Sequence, residues 1–397
     1  MITKLAAHAY VRRLATIVVV LILTSISAKA QELSEEDVTG DGEKVRILAK
    51  IVDEVIADED EEEIDKKYEF LAMPIPIADP TVGTGLGFNA MVMYSLGENA
   101  PPSSTGVFGF YTDSDSWGAG LYQMVHTKDD LWRGIGAIGT VTLNVNFYGV
   151  GNDPGEVNRG LPIEQDVSFL YLQVLREIRE DFYLGLRGRS ANTVTRLRLS
   201  EILPPEWEIP DPEFDSQITN IGPMVQWDSR DNIYTPVSGS LIEAVALFAD
   251  ESLASDFSYQ LYTLEYSKFL GLSEDFVLAL RGTGCAAHGD APFYDICLLG
   301  SDDKIRGYEA GQYRDDRMLT AQAEARWRFS NRWGSVAFLG GGWLAESFGD
   351  MDFSDAVPSY GVGVRFLASE EHNVNVGIDY ARGDDSDSWY FRIGEAF

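Results

Sequence analysis

Trp389-Tyr390-Phe391-Arg392-Ile393-Gly394-Glu395-Ala396-Phe397 closes the chain. Residues 389, 391, 393 and 397 are apolar, and Tyr390, Arg392, Gly394 and Ala396 between them are smaller or more polar. Successive side chains of a strand point to opposite faces, so this alternation predicts a strand with one face made for lipid and one for water. A strand that runs to the last residue and ends in an aromatic is the expected closing strand of an outer-membrane barrel. Phe391, Ile393 and Phe397 are then its candidate barrel-insertion signal. A soluble β-sandwich ending in the same way is the alternative that the rest of the chain must decide.

The other end of the chain points to export. Lys4, Arg12 and Arg13 precede an apolar stretch from Leu14 to Ile26, and Ala28-Lys29-Ala30 supplies a small-residue cleavage site before Gln31. Residues 1–30 therefore read as a secretory signal peptide. The stretch is shorter than the ~20 apolar residues needed to span a bilayer as a helix. No later run is longer, so insertion downstream must be by strands. Cleavage removes four bases (Lys4, Arg12, Arg13, Lys29) and no acid, which takes the net charge from −32 to −36. Such a surface is a poor partner for nucleic acid.

Residues 31–66 form an acidic segment with Asp58-Glu59-Asp60-Glu61-Glu62-Glu63 at its heart, and Val45, Ile47, Leu48, Ile51, Val52, Val55 and Ile56 at helical spacing. It reads as a periplasmic tether or plug. Asp37-Val38-Thr39-Gly40-Asp41-Gly42 opens like a calcium loop, but Leu48 stands where the twelfth-position glutamate is required, so no metal is expected there.

From 67 to 397 glycines and aromatics interleave with alternating runs. The expected strands are 67–77, 82–96, 104–112, 116–127, 131–147, 166–179, 181–198, 215–228, 238–250, 255–269, 275–285, 316–330, 332–346, 358–368, 372–382 and 387–397. The expected fold is therefore all-β, a sixteen-stranded antiparallel transmembrane β-barrel, an even strand number of the kind bacterial barrels have. If the first strand rises from the periplasm, the connections 148–165, 199–214, 286–315 and 347–357 all fall outside, and the tight turns at 128–130, 179–181 and 330–332 fall inside. Long outer loops and short inner turns are the expected asymmetry. Hydrocarbon forbids open edges, so the meeting of first and last strands is the one seam where pairing need not be complete.

Cys285 and Cys297 are the two cysteines. In an oxidising compartment they are a candidate disulfide, with two free thiols as the alternative. A metal pair is disfavoured because His288 alone cannot complete a site. The histidines after the leader are His126, His288 and His372, with no G-x-S-x-G elbow and no metal-spaced His/Cys cluster. An enzyme is not expected, nor a cofactor; a barrel phospholipase would need Ser116 or Ser255 to meet His126.

The most specific internal pattern is Ile305-Arg306-Gly307-Tyr308, within Gly300–Asp315 in the longest loop. It resembles the Val/Ile-Arg-Gly-Phe/Tyr signature of the BamA/TamA superfamily (bacterial surface antigens), which likewise follows the eleventh strand. Asp228-Ser229-Arg230-Asp231-Asn232 with Pro236 and Gly239 resembles that family's turn before the ninth strand. The resemblance covers residues 67–397. It implies that the long sixth outer loop folds back into the lumen, where Arg306 latches to Glu324 on the next strand, Gly307 allows close approach and Tyr308 wedges against the wall. A guanidinium suits the task because it can hold a carboxylate by two parallel hydrogen bonds. The insertases carry a second acid one strand further on. Gly340 stands at that position here, which argues against a two-carboxylate latch. Residues 31–66 are too few for a POTRA domain, so the chain resembles a short, POTRA-less member.

The resemblance implies a barrel in the bacterial outer membrane that helps proteins or lipids insert or cross through a seam between first and last strands. Expected partners are outer-membrane lipids, the barrel-assembly machinery during the chain's own insertion, and client outer-membrane proteins. The alternative left open is a passive, cation-favouring pore or a structural surface protein.

Overall fold

The two-residue alternation becomes a continuous sheet in the computed structural model, which describes residues 68–397 apart from 98–99, 152–159, 200–211, 301–304, 370–372 and 385. The expected signal peptide, the acidic segment 31–66 and His372 lie outside the described residues. The strands are β1 (Tyr68–Asp79), β2 (Gly83–Tyr94), β3 (Ser103–Thr112), β4 (Trp117–His126), β5 (Trp132–Phe147), β6 (Leu161–Arg179), β7 (Phe182–Leu197), β8 (Glu213–Asp228), β9 (Gly239–Ala249), β10 (Tyr259–Ser273) and β11 (Phe276–Gly289). Two short strands, β12 (Cys297–Leu298) and β13 (Arg314–Asp315), follow within a loop. The wall resumes with β14 (Arg317–Arg328), β15 (Trp333–Ala345), β16 (Val357–Ser369), β17 (Val374–Arg382) and β18 (Asp387–Ile393).

Among the described residues, sixteen of these strands pair with their neighbours in one antiparallel sheet, β11 passing directly to β14. The first and last strands of the sheet come side by side. No ladder joins β1 to β18 among the described residues. The result is a nearly closed barrel with one unstitched seam.

Parity sorts the side chains. On β6 Leu170, Leu172 and Val174 are exposed while Gln173 and Leu175, on the opposite parity, are buried. On β14 Thr320, Gln322, Glu324 and Arg326 are buried, and Trp327 is exposed. An apolar outside with polar and charged groups inside is the pattern of a barrel in lipid. Aromatics ring both ends of the outer face: Trp132, Trp227, Trp327 and Trp333 near one rim, Phe248, Tyr262, Tyr360 and Trp389 near the other. Tryptophan and tyrosine favour the membrane interface, so the two girdles bracket the hydrocarbon band. Among the described residues no helix is long and apolar enough to cross a membrane.

The wall is uneven. β6 has 19 residues and β18 has 7. At about 3.3 Å per residue these run roughly 60 Å and 23 Å along the strand. The short side is the seam.

Four strands depart from their expected bounds by four residues or more; of these, β11 runs on to Gly289 instead of 285. β6 begins at Leu161 instead of 166. β10 is displaced to 259–273, because 255–258 close a turn in which the Asp256 carboxylate accepts from the Gln217 amide N–H. The last change concerns the closing strand, which was expected to reach residue 397 with Phe397 facing lipid. β18 stops at Ile393, and Gly394 adopts φ +84°, a left-handed turn that a side chain would strain. Residues 395–397 then turn inward. The Phe397 ring lies 6.4 Å from that of buried Phe269, and the Phe397 carbonyl accepts from Arg326 Nη2 at 2.7 Å. Phe391 and Ile393 remain in the strand.

Candidate functional site

The loop 290–316 between β11 and β14 makes hydrogen bonds and ion pairs to several wall strands. Cys285, near the end of β11, is bonded to Cys297 with Cα atoms 5.7 Å apart, which ties the loop's first half to the wall. Cys297 and Leu298 pair with Asp315 and Arg314, closing the loop into a ribbon. Residues 301–304 lie outside the described residues. The segment 305–308 is buried throughout, with Ile305 and Arg306 at 0% exposure and Tyr308 at 1%.

Arg306 meets two carboxylates. Its Nη2 donates to Glu324 Oε2 at 2.7 Å and its Nη1 to Asp379 Oδ2 at 2.8 Å. Its guanidinium also lies 3.3 Å from the centre of the Phe338 ring, a cation–π contact in a desolvated place. The expectation of a single acid is thus corrected: the second carboxylate comes from β17. The reason is steric. A Cβ on Gly340 would approach Gln322 Cγ to 2.7 Å and the Ala321 carbonyl to 2.8 Å, with Ile305 Cδ1 at 3.3 Å, so β15 has no room for an acid at 340.

The neighbouring residues fix the loop backbone. Ser359 Oγ donates to the Arg306 carbonyl at 2.6 Å, and the Gly307 N–H donates to the Tyr390 hydroxyl at 2.8 Å. Gly307 has φ +103°, and a Cβ there would meet Gly383 N at 2.8 Å, so both conformation and space demand glycine. The Tyr308 hydroxyl donates to the Pro358 carbonyl and accepts from the Asp384 N–H at 2.9 Å. Its ring fits where Gly383 has no side chain, since a Cβ on Gly383 would come within 2.4 Å of it.

Both carboxylates are shared. Glu324 Oε1 accepts from Arg326 Nε at 2.9 Å, and Asp379 accepts from Arg365 and from Arg392 Nε at 2.9 Å. Glu395 in the inward-turned tail completes the set, accepting from Arg365 Nε at 2.8 Å and from Asn375 at 2.7 Å. The loop also reaches distant parts of the wall. Asp295 pairs with Arg189 on β7 at 2.5 Å and accepts from Tyr259 on β10. The Tyr148 hydroxyl donates to Glu309 at 2.9 Å, and the Ala310 N–H donates to Thr81 Oγ1 at 2.7 Å. Burial pushes the Glu309 carboxyl above its ordinary 4.5. Burial also pulls Arg314, whose guanidinium donates to the carbonyls of Gly311 and Phe293, down to about 10.

A second polar cluster sits at the opposite rim and was not anticipated. Arg133 donates to Asp130 at 2.6 Å, to Gln226 at 2.7 Å and to Asp228 at 2.9 Å, with the Tyr183 ring 4.0 Å from its guanidinium carbon. His126 Nδ1 is 2.8 Å from Asp130. Burial opposes ionisation of Asp130, but the hydrogen bonds from His126 and Arg133 outweigh it and hold the carboxyl below its usual range. The cluster borders a cavity of about 500 Å³ that Arg230, Asp231 and Asn232 also line. The signal for it was the Asp228–Asn232 turn. What the sequence could not show is that the β4–β5 turn folds against that turn.

The structure does not bring together the residues of an alternative hydrolase. Ser116 and His126 flank opposite ends of β4, Ser116 Oγ instead accepting from the Asn144 N–H at 2.9 Å, and Ser255 lies in the β9–β10 turn. Among the described residues no group of three or more His, Cys, Asp or Glu side chains is arranged to hold a metal ion.

Comparison with known proteins follows the same lines. A family model described as the Omp85 superfamily domain matches residues 145–397. No curated protein matches the chain in sequence. Among solved structures, BamA from Haemophilus ducreyi lacking POTRA domains 1–3 is similar in fold, with a TM-score of 0.56 at 12% identity over 83% of this chain and 70% of that one. CdiB from Acinetobacter baumannii gives 0.53 at 12% identity over 83% of this chain and 60% of its own. CdiB from Escherichia coli gives 0.56 at 11% identity over 84% of this chain and 63% of its own. The chain thus spans less than two thirds of either CdiB.

Proposed function

The chain belongs to the Omp85 superfamily, and on that premise we propose that it is an exported outer-membrane barrel that helps polypeptides or lipids insert or cross at the seam between β1 and β18. The loop 290–316, latched by Arg306, acts as an internal stopper in the lumen. No side chain performs covalent chemistry. The observation that carries the reading is the seam itself: among the described residues β1 and β18 lie side by side unladdered, while every other neighbouring pair in the sheet is hydrogen-bonded. Separating two laddered strands in hydrocarbon exposes backbone groups at several kcal/mol each. Parting β1 from β18 avoids that cost, so the wall opens there first. The short β18 adds to the effect, because a short hydrophobic span thins the bilayer beside it.

The test is a cysteine pair, Ala78→Cys with Phe391→Cys, which line the same crevice between the two strands, oxidised across the seam in cells depleted of the unmodified protein. The closed barrel is expected to lose complementation while each single-cysteine variant retains it. Loss of barrel proteins from the outer membrane identifies polypeptides as the cargo, and altered lipid asymmetry identifies lipids. A bridged barrel that complements fully, with a steady conductance unaffected by bridging, overturns the proposal and returns the molecule to the passive pore.

A further inference from the structure

The seam is not uniform along its height. The Asp113 N–H donates to the Thr84 carbonyl, so even-numbered residues of β2 turn their backbone groups toward β3 and odd-numbered ones toward β1. Ile75 pairs with Gly87 and Ile77 with Gly85, which makes the odd residues of β1 those that face β2. The even residues therefore face the seam. Two of them, Pro74 and Pro76, have no N–H to offer. Proline on a sheet edge blocks further pairing. Tyr68, Phe70 and Ala72 keep their seam donors, so the block is confined to the half of β1 nearer the long loop.

A crevice of about 260 Å³ lies at that height. Ile75, Pro76, Ile77, Phe110, Tyr390 and Phe391 line it, with Asp79 as its one carboxylate. Asp79 is already engaged, accepting from the N–H groups of Thr81 and Val82. Pro76 belongs to the lipid-facing set of β1, whereas Ile75 and Ile77 alternate with it and face inward. The crevice therefore reaches both faces of the wall. Tyr390 on its floor is the same residue whose hydroxyl accepts from Gly307.

We propose that the proline-blocked half of the seam is a binding site for the acyl chain of a membrane lipid. An extended polypeptide is the poorer occupant, because its carbonyls would find no donors at Pro74 and Pro76, and hydrocarbon offers no water to satisfy them instead. An acyl chain has no such groups and gains from the apolar lining. The chain fills the gap that the prolines hold open and touches Tyr390, so its arrival is felt at the Arg306–Gly307 turn. The inference rests on the seam lying at bilayer depth, as in the proposed function, but not on its opening for cargo.

The experiment uses the full chain in vesicles of phosphatidylethanolamine and phosphatidylglycerol doped with a phospholipid carrying a diazirine on its acyl chain. After illumination, peptides are mapped by mass spectrometry in the folded fraction only. Adducts on 75–78 and 390–391 are expected several-fold above those on the ordinary lipid-facing surface at 170–174. The double variant Pro74→Val with Pro76→Val restores the missing donors and lets β18 pair. Its seam labelling is expected to fall to the level of 170–174, and the amides of residues 74 and 76 are expected to resist hydrogen exchange. Uniform labelling of the wild-type wall overturns the proposal, as does a double variant that labels like wild type. Either result leaves the seam-bridging experiment free to succeed or fail by itself.

Discussion

Removing Asp379 is expected to cost more stability than removing Arg306, although Arg306 is the residue of the signature. The buried cluster contains four guanidiniums (Arg306, Arg326, Arg365, Arg392) and three carboxylates (Glu324, Asp379, Glu395). Arg306→Gln leaves three of each, with Glu324 still held by Arg326 and Asp379 by Arg365 and Arg392. Breaking a buried pair by deleting one partner costs about 3–5 kcal/mol, and a deletion that leaves both carboxylates held by other cations belongs at the lower end, about 3 kcal/mol. Asp379→Asn leaves four cations with two carboxylates and takes the shared anchor from three of those cations at once, which places it at about 5 kcal/mol or above. Urea titration of refolded barrels in detergent, followed by the heat-modifiable gel shift, measures both. The double variant is expected to fall short of the sum by about 1–3 kcal/mol, since contacting residues are coupled. If Arg306→Gln proves the costlier change, or if the two costs add to within about 0.5 kcal/mol, the shared-anchor reasoning is wrong.

Other outcomes are expected around the same loop. Cys285→Ser with Cys297→Ser should lower stability by about 2–3 kcal/mol, a value set by the short separation of 12 residues, and wild type in reductant should match it in the urea midpoint. Gly383→Ala should displace the Tyr308 ring, at a cost of about 1–3 kcal/mol, and expose the loop to protease; an unchanged digestion pattern would count against the packing described. Because burial raises the folded carboxyl of Glu309 above its ordinary 4.5, the stability it contributes is full below 4.5 and is lost as pH rises through the raised value. Loop protection should therefore be greater at mildly acidic than at neutral pH, and Glu309→Gln should flatten the profile.

The fold was legible because a barrel wall writes its two environments into alternate residues, and stretches such as Phe169–Leu175 or Thr320–Trp327 read correctly without knowledge of their neighbours. Boundaries slipped where a turn borrowed strand-like residues, as at 255–258. Arg306 and Glu324 were readable as a pair through the resemblance of their motif. Asp379 was not, because its role depends on where β17 stands relative to the loop 290–316. A signal was present: an acid at the centre of Val374–Arg382, on the buried parity, needs a cation to make it tolerable. Gly340 misleads because the absence of an acid on β15 does not mean the absence of a second carboxylate; it marks the close approach of Gln322 and the Ala321 carbonyl. The tail misled through Gly394, which reads as a small inward residue but breaks the strand. The Asp130–Arg133–Asp228 cluster depends on two turns meeting in space, a fact that no local pattern carries.

Glu324 has consequences beyond holding the loop. One of its oxygens holds Arg306 and the other holds Arg326, which in turn grips the carbonyl of Phe397. A segment entering from one rim and a segment entering from the other are thus fastened to a single carboxylate. Lifting either one disturbs the charge balance that secures the other. The two segments are therefore coupled through one carboxylate, so displacing either is expected to loosen the other.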